Sequence, residues 1–371
     1  MKITIARQDL FEAVGKVRTV VAQKSALPIL SHIHMRAEGN SVCLTATDLK
    51  VAIECSVDCQ VETPGELTVS AHRLGAILSE LPDGEVDLAL SENGVIDLEA
   101  GRIRTRLFSM SAEEFPHMPT LEAVQPIVMR QGTLRRLFEK TSFAICTDQA
   151  RYNLTGLLFS LQEGRLVVVA TDGRRMSLCI ETEGAPEDAP AREGVIIPGK
   201  MISELERLLG DEGMVEVYLD ASRAMFVFDR LRMSTALIDG AFPNYEMVVP
   251  KKHDKEVIVH RGAFLEAIRR TRTMTSDKFN SVRFVLDSGL LTFRVTTPEV
   301  GEYQEELAVE YDGPSMEIAF NPDFVADVLR RISDDQVCLI LKDQSSPGMI
   351  RPFRNEAADE SYTNVVMPIR I

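Results

Sequence analysis

One segment of this 371-residue chain has the spacing of a phosphate-binding loop. The segment from Gly194 to Lys200, GVIIPGK, matches the pattern GxxxxGK, in which a glycine-rich loop cradles phosphate groups. Met201 follows the lysine, where that motif needs a Ser or Thr to bind magnesium. Residues 195–197, Val-Ile-Ile, also predict a strand and not a flexible loop. We therefore assign no nucleotide-binding role to this segment.

Two pairs of residues could in principle bind a metal ion. Cys55 and Cys59 lie within one alternating strand-like pattern, and His32 and His34 alternate along another. Zinc needs further ligands, and none follows either pair at a suitable spacing. The HExxH, EF-hand, GxSxG and CxxC motifs do not occur in the sequence. We therefore expect no metal, no cofactor and no catalytic residue; an enzyme remains an alternative without a site that can be named.

The composition is that of a globular protein, with 45% apolar and 26% charged residues. The sequence lacks the uninterrupted apolar run of about 18 residues that a transmembrane helix requires. Arg7 and Asp9 interrupt the apolar residues near the N-terminus, so we expect no secretory signal. The six scattered cysteines then predict reduced, buried thiols in a cytoplasmic protein without a membrane partner.

Three elements recur in the same order, about 120–130 residues apart, which is the size of a typical domain. A short strand followed by a helix begins at Ile3, Ile127 and Val257. Alternating strands that end in polar turns cover 43–50, 167–175 and 291–300. A second strand and helix begin at Thr68, Val195 and Glu317. The pattern predicts three similar α+β domains, 1–124, 125–250 and 251–371, with antiparallel sheets and helices gathered on one face.

Positive charge is concentrated in the predicted helices. The chain has 41 Lys and Arg against 56 Asp and Glu, a net charge of −15. The helices hold fifteen basic and nine acidic residues, a net +6, which leaves −21 elsewhere. Such a surface would attract a polyanion, although basic residues also occur on helices simply because they solvate an exposed face. The helices are predicted at 7–21, 71–81, 133–145, 199–210, 261–274 and 321–332.

Four stretches of the chain form a distinctive set: LPIL at 27–30, ATDGRR at 170–175, DGAFPNYEMVVP at 239–250 and VVMPIRI at 365–371. Together they resemble the bacterial sliding clamp family, the beta subunits of DNA polymerase III. The resemblance covers essentially the whole chain. It implies a head-to-tail homodimer that forms a ring, with sheets outside and helices lining the inside. Such a ring encircles double-stranded DNA independently of its sequence and confers processivity without catalysis. The alternative is a β-rich peptide-binding scaffold or an enzyme with no DNA role.

The resemblance also implies two sets of site residues. The residues that it implies for DNA binding are Lys24, Arg73, Gln149, Arg151, Tyr152, Lys200 and Lys278. A pocket between the second and third domains would bind short clamp-binding peptides of the polymerase III catalytic subunit, the clamp loader, other polymerases and repair proteins. The residues that it implies for this pocket are Leu154, Thr171, Gly173, Arg174, Arg175, Met176, Pro243, Met247, Val248, Ser345, Val365, Met367, Pro368, Ile369 and Arg370.

Two chemical expectations accompany this pocket. Arg175 and Arg370 could hold peptide carbonyl groups or an acidic residue, because guanidinium groups form strong charge-assisted hydrogen bonds. Met247 and Ser345 differ from the residues that are common in the family at these positions. The resemblance therefore implies where the pocket lies and leaves its peptide preference open.

Overall fold

The computed structural model describes residues 1–21, 27–91, 93–119, 121, 124–162, 164–182, 192–250, 253–276, 280–298 and 300–370. In these ranges, none of the helices has the length and apolar character that crossing a bilayer would require. The α-helices are α1 Arg7–Val17, α2 Ala71–Glu80, α3 Gln131–Thr141, α4 Gly199–Leu208, α5 Arg261–Arg272 and α6 Pro322–Arg331. All six predicted helices are confirmed.

The strands fall into three groups along the chain. The first group is β1 Lys2–Ala6, β2 His32–Glu38, β3 Ser41–Thr47, β4 Val51–Asp58, β5 Gln60–Thr63, β6 Gly65–Ser70, β7 Glu85–Leu90, β8 Val95–Ala100 and β9 Ile103–Phe108. The second is β10 Ile127–Arg130, β11 Gly156–Gln162, β12 Arg165–Thr171, β13 Arg175–Glu181, β14 Arg192–Pro198, β15 Met214–Leu219, β16 Arg223–Phe228 and β17 Leu231–Ala236. The third is β18 Lys255–His260, β19 Val282–Asp287, β20 Leu290–Thr297, β21 Gly301–Ala308, β22 Met316–Phe320, β23 Gln336–Leu341, β24 Gly348–Arg354, β25 Ala357–Ala358 and β26 Tyr362–Val366.

Each group contains the same unit twice, a strand and a helix followed by three strands, with β5 and β25 as additions. In each unit the strand passes into the helix where the spacing of the apolar residues changes. They recur every second residue in the strand and every third or fourth residue in the helix. In α1, for example, Leu10, Ala13, Val14 and Val17 are the buried positions. All the paired strands are antiparallel, so the predicted α+β class with antiparallel sheets is confirmed.

The chain divides into two compact units, of which the first contains Met1–Thr133 and Ser203–Leu237. Its eight-stranded sheet has the order β10-β15-β16-β17-β4-β3-β2-β6. The sheet is continuous because β17 of the second repeat pairs with β4 of the first, from Leu231 opposite Cys55 to Thr235 opposite Val51. A five-stranded sheet, β5-β1-β7-β8-β9, ends in β9 as an edge strand.

The second unit contains Leu134–Ile202 and Ile238–Ile371. Its largest sheet has the order β14-β11-β12-β13-β26-β24-β23-β18, with β25 added to β24. Here β13 of the second repeat pairs with β26 of the third, from Arg175 opposite Val366 to Cys179 opposite Tyr362. A four-stranded sheet, β21-β20-β19-β22, ends in β21 as an edge strand. Each long sheet therefore contains strands of two consecutive repeats.

A buried polar network fastens the junction between β13 and β26. The Tyr362 hydroxyl donates to the Lys140 carbonyl oxygen at 2.9 Å. Ser177 Oγ lies 2.8 Å from the same carbonyl oxygen and 2.9 Å from Asn364 Oδ1. Burial raises the pKa of Tyr362 above its usual value, so the hydroxyl keeps its proton and remains a donor. Buried polar groups that find partners in this way fix one register between the two strands.

Candidate partner-peptide site

A cavity of about 700 Å³ opens where β13 pairs with β26 in the second unit. Its floor is apolar, because Met176 and Val365 face each other across the two strands and are both buried. Ten of the fifteen predicted pocket residues line it. They are Leu154, Thr171, Gly173, Arg175, Met176, Pro243, Met247, Val248, Val365 and Met367.

Methionines form much of the exposed rim. Met247 is 82% exposed in the 3₁₀ turn Tyr245–Met247, and Met367 directly follows β26 and is also exposed. Unbranched thioether side chains adapt their shape to different partners and fill irregular gaps. An apolar floor with a methionine rim suits apolar peptide side chains, whose burial stabilises a complex by about 25 cal/mol for each Å² removed from water.

The turn between β12 and β13 forms one wall of the cavity. The Asp172 carboxylate accepts hydrogen bonds from the backbone amides of Arg174 and Arg175 at 2.8 and 3.0 Å. Gly173 has a φ of +80°, in the left-handed region where a side chain would be strained. Thr171 Oγ1 donates to the Arg175 carbonyl oxygen at 2.7 Å. The residues TDGR therefore form a tight turn with one preferred shape.

Arg175 lines this wall, but its guanidinium group is committed to partners within the protein. Its Nε donates to Asp172 Oδ2 at 3.1 Å and its NH1 donates to Asp327 Oδ2 at 2.6 Å. The guanidinium carbon also lies 4.6 Å from the centre of the Phe324 ring and 5.4 Å from that of Phe143. The side chain is 13% exposed. We assign Arg175 to holding the wall in place, and its expected contact with the peptide remains a prediction.

Five predicted pocket residues do not line the cavity: Arg174, Ser345, Pro368, Ile369 and Arg370. Arg174 and Arg370 are exposed, and the Arg174 carbonyl oxygen accepts a hydrogen bond from the Met367 amide at 2.9 Å. The Ile369 amide donates to the Ala319 carbonyl oxygen at 2.8 Å, which places this segment along β22. Ser345 Oγ donates to Asp343 Oδ1 at 2.9 Å. Their contact with a peptide remains a prediction.

Six cavity residues were not predicted: Phe242, Tyr245, Pro250, Lys342, Ser346 and Pro347. The first three belong to the stretch 239–250, where aromatic residues and prolines in a connecting segment were a usable signal. The other three follow β23 and precede β24. No sequence pattern distinguishes that turn from other polar turns of the chain.

Three of the residues that the resemblance implies for DNA binding share the 3₁₀ segment Gln149–Leu154. Gln149 and Tyr152 are exposed there. Arg151 is half-buried; its Nε donates to Asp148 Oδ2 at 3.3 Å and its NH1 donates to the Asp172 carbonyl oxygen. The amide of Ala150 is the first cause that holds the pKa of Asp148 below its usual range. The Asp148 carboxylate therefore balances part of the positive charge of Arg151.

The other candidates for DNA binding are spread along the chain. Arg73 is exposed on α2, and Lys200 is exposed at the second position of α4. Arg73 forms no ion pair with any residue that the structure describes. Lys24 and Lys278 lie outside the described residues.

The metal-like pairs and the phosphate-loop pattern have structural explanations. Cys55 is buried in β4, whereas Cys59 follows that strand, so the two do not share one strand as expected. His34 Nε2 lies 2.9 Å from Glu66 Oε2. In the ranges given above, no three His, Cys, Asp or Glu side chains converge as a metal site. The GVIIPGK segment forms strand β14 and the start of α4, as its apolar residues predicted.

Three repeats whose sheets are joined edge to edge, with an apolar cavity at the second junction, define a protein of the DNA clamp fold. Family models of the DNA polymerase III beta subunit match the chain in its N-terminal domain at 1–119, its central domain at 128–244 and its C-terminal domain at 246–370. The chain therefore belongs to the beta sliding clamp family, the beta subunits of DNA polymerase III.

Individual relatives agree with this assignment. Beta sliding clamps of Pseudomonas putida and Caulobacter vibrioides are 37% and 36% identical, and each match covers 100% of both chains. The crystal structure of the DNA polymerase III subunit beta from Pseudomonas aeruginosa superposes with a TM-score of 0.95 at 35% identity, again over 100% of both chains. The three-domain sliding clamp fold thus extends over the whole chain.

Removing the Arg175 guanidinium tests its role in the wall. Arg175→Ala removes the guanidinium that bridges Asp172 and Asp327. Asp327 keeps its pair with Arg330 and Asp172 keeps its backbone donors, so we expect a loss of about 1–2 kcal/mol in the free energy of unfolding. The exposed neighbour supplies a matched control, because Arg174→Ala should change that free energy by less than about 0.5 kcal/mol. Urea unfolding measures both values. Equal small effects for the two variants would show that Arg175 does not hold the wall.

Proposed function

We propose that this chain is a DNA sliding clamp: two copies close head to tail into a ring around duplex DNA and tether DNA polymerase III to its template. The observation that carries the proposal is the pattern of strand pairing. Consecutive repeats are joined where β17 meets β4 and where β13 meets β26. Each junction pairs a strand that ends the second half of one repeat with a strand that ends the first half of another. Two strands of these types have no such partner within the chain: β9 in the first repeat and β21 in the third.

The two remaining edges occupy equivalent places in the repeat. Strand β9 ends the second half of its repeat, as do β17 and β26, whereas β21 ends the first half of its repeat, as do β4 and β13. Pairing β9 of one copy with β21 of the other would repeat the junction already used twice within the chain. A twofold axis generates two such contacts and closes the assembly into a ring in which neither β9 nor β21 remains an edge.

The side chains on these edges are complementary. Arg104, Arg106 and Phe108 alternate along β9, and Phe108 is 81% exposed. Glu302 and Glu306 are exposed along β21. An exposed aromatic side chain beside arginines is typical of protein interfaces, and opposite charges favour the correct partner. The pairs that Arg104 and Arg106 form with β8 carboxylates are largely exposed and therefore weak.

The DNA role draws on the distribution of charge. Arg73 on α2, Arg269 on α5 and Arg331 on α6 are exposed and form no ion pair with any described residue. We propose that the helices face the duplex across a layer of water. Attraction through water is non-directional and screened by salt, so it permits sliding, whereas base contacts would create stops. The ring topology then keeps the clamp on DNA, and the protein needs no catalysis of its own.

The cavity at the second junction would receive short peptides from partners that must share one clamp. We propose the polymerase III catalytic subunit, the clamp loader, other polymerases and repair proteins as these partners, in the cytoplasm where replication takes place. Support comes from the apolar floor and the adaptable methionine rim described above. The family membership also supports these partners.

Retention on DNA should depend on the topology of the DNA. After loading by a clamp loader with ATP onto nicked circular DNA, the protein should co-elute with the circle in gel filtration. Linearising the DNA with a restriction enzyme should release it, because only threading holds it in place. Protein that stays bound to linear DNA, or that never co-elutes with the circle, would contradict the proposal and favour a peptide-binding scaffold without a DNA role.

Charge at the rim should prevent peptide binding. Met367→Asp places a carboxylate where an apolar side chain would be buried, so affinity should fall by at least about tenfold. The probe is a fluorescent peptide that carries the clamp-binding sequence of the polymerase III catalytic subunit, and fluorescence anisotropy measures its affinity. Met214→Asp is the matched control, because Met214 is an exposed methionine on β15 in the first unit. Equal affinity for both variants would refute the assignment of the cavity.

A further inference from the structure

The described residues that line the peptide cavity include only two charged side chains, Arg175 and Lys342. Both are cations, and no acidic side chain lines the cavity within that set. The Arg175 guanidinium is taken up by Asp172 and Asp327 and by two aromatic rings, as described above. The charge that a bound peptide meets is therefore set by Lys342.

The main chain of Lys342 is held in a defined place. The residue directly follows β23, and its carbonyl oxygen accepts a hydrogen bond from Lys255 Nζ at 2.9 Å. The side chain of Lys255 is itself largely buried. The Lys342 side chain is by contrast 51% exposed at the cavity. A fixed backbone with a mobile ammonium group can reach a ligand without rearrangement of the fold.

The carboxylate nearest to Lys342 is engaged mainly with other donors. Lys342 Nζ lies 4.0 Å from Asp343 Oδ2, beyond hydrogen-bond distance. The Asp343 carboxylate accepts hydrogen bonds from the amides and hydroxyls of Ser345 and Ser346 at 2.8–2.9 Å. These bonds, first of all that from the Ser346 hydroxyl, hold the pKa of Asp343 far below its usual range. Three of these bonds go to Oδ1 and one to Oδ2, and none of them comes from the Lys342 ammonium.

We propose that Lys342 is a specificity-determining residue of the cavity, which pairs with a carboxylate of the bound peptide. The inference rests on the proposed function, since it assigns the chemistry that the peptide cavity prefers. The apolar floor would take the aliphatic or aromatic anchors of the peptide, and Lys342 would take an acidic side chain beside them. A C-terminal carboxylate offers the same chemistry, and amidated peptides distinguish the two sources.

The positive charge of Lys342 also offsets, at the cavity, the negative net charge of the whole protein. A net charge of −15 disfavours the approach of acidic peptides, and a cation at the cavity offsets this repulsion where the peptide docks. A pair at a half-exposed position is modest in strength. We expect about a two- to fivefold preference for the acidic peptide, and this preference should shrink as salt is added.

The test compares C-terminally amidated peptides that contain one Asp with the same peptides containing Asn, the acidic residue being moved through each position. Fluorescence anisotropy with the full-length protein should show the preference at one position or at two adjacent ones. Lys342→Gln should bring the ratio of affinities to about one while leaving the Asn peptide bound. Lys342→Glu should favour a Lys-containing peptide at the same position. If only non-amidated peptides show a preference that Lys342→Gln abolishes, the partner is a C-terminal carboxylate.

Lys50→Gln is the matched control, because it removes one exposed positive charge from a turn between two strands, β3 and β4, that does not line the cavity. It should preserve the preference of the unaltered protein. The inference would be overturned if the ratio of the Asp-peptide affinity to the Asn-peptide affinity were the same in Lys342→Gln as in the unaltered protein. It would also be overturned if the unaltered protein showed no preference for a carboxylate at any position of the peptide or at its C-terminus. If the neutral peptide fails to bind the unaltered protein, the assignment of the cavity fails together with the inference. Binding of that peptide without a preference for acid refutes the role of Lys342 alone.

Discussion

Backbone pairing at the edges of sheets is the constraint on which this structure depends. An edge strand exposes unpaired N–H and C=O groups that need a partner or protection. Within the chain, the repeat satisfies this need twice, by joining β17 to β4 and β13 to β26. The strands β9 and β21 have no such neighbour in their sheets, and they carry charges of opposite sign. In the proposed ring, a second copy of the chain completes both edges with the junction already in use.

The same junction explains where the peptide cavity lies. Pairing of β13 with β26 brings Met176 and Val365 together as a floor and places Met367 next to the turn that precedes β13. Arg175 holds that turn through Asp327 on α6, so one ion pair links the cavity wall to a helix. Because Arg175 is paired in this way, Lys342 is the cation that we propose to pair with a bound peptide. Arg175 then contributes to the stability of the site and Lys342 to its specificity.

The local elements were predictable from the sequence, whereas their partners were not. The strand–helix boundaries at Ala6 and His260 follow from a change in apolar period that a short window reveals. No strand was predicted at 362–366, yet these residues form β26. Its pairing with β13 joins residues that are far apart in the chain, and a local pattern cannot show this. The bond between Arg175 and Asp327 spans 152 residues and was missed for the same reason.

The central claim is that β9 and β21 of two copies close the assembly, and the mass in solution tests it most directly. Sedimentation equilibrium should give twice the chain mass of 41.3 kDa for the unaltered protein. Phe108→Asp puts a carboxylate in place of the exposed aromatic of β9 and should give the single chain mass, with the fold retained by circular dichroism. Leu49→Asp, at an exposed apolar residue that belongs to neither edge strand, should leave the doubled mass. A single chain mass for the unaltered protein, or a doubled mass for Phe108→Asp, would contradict the account.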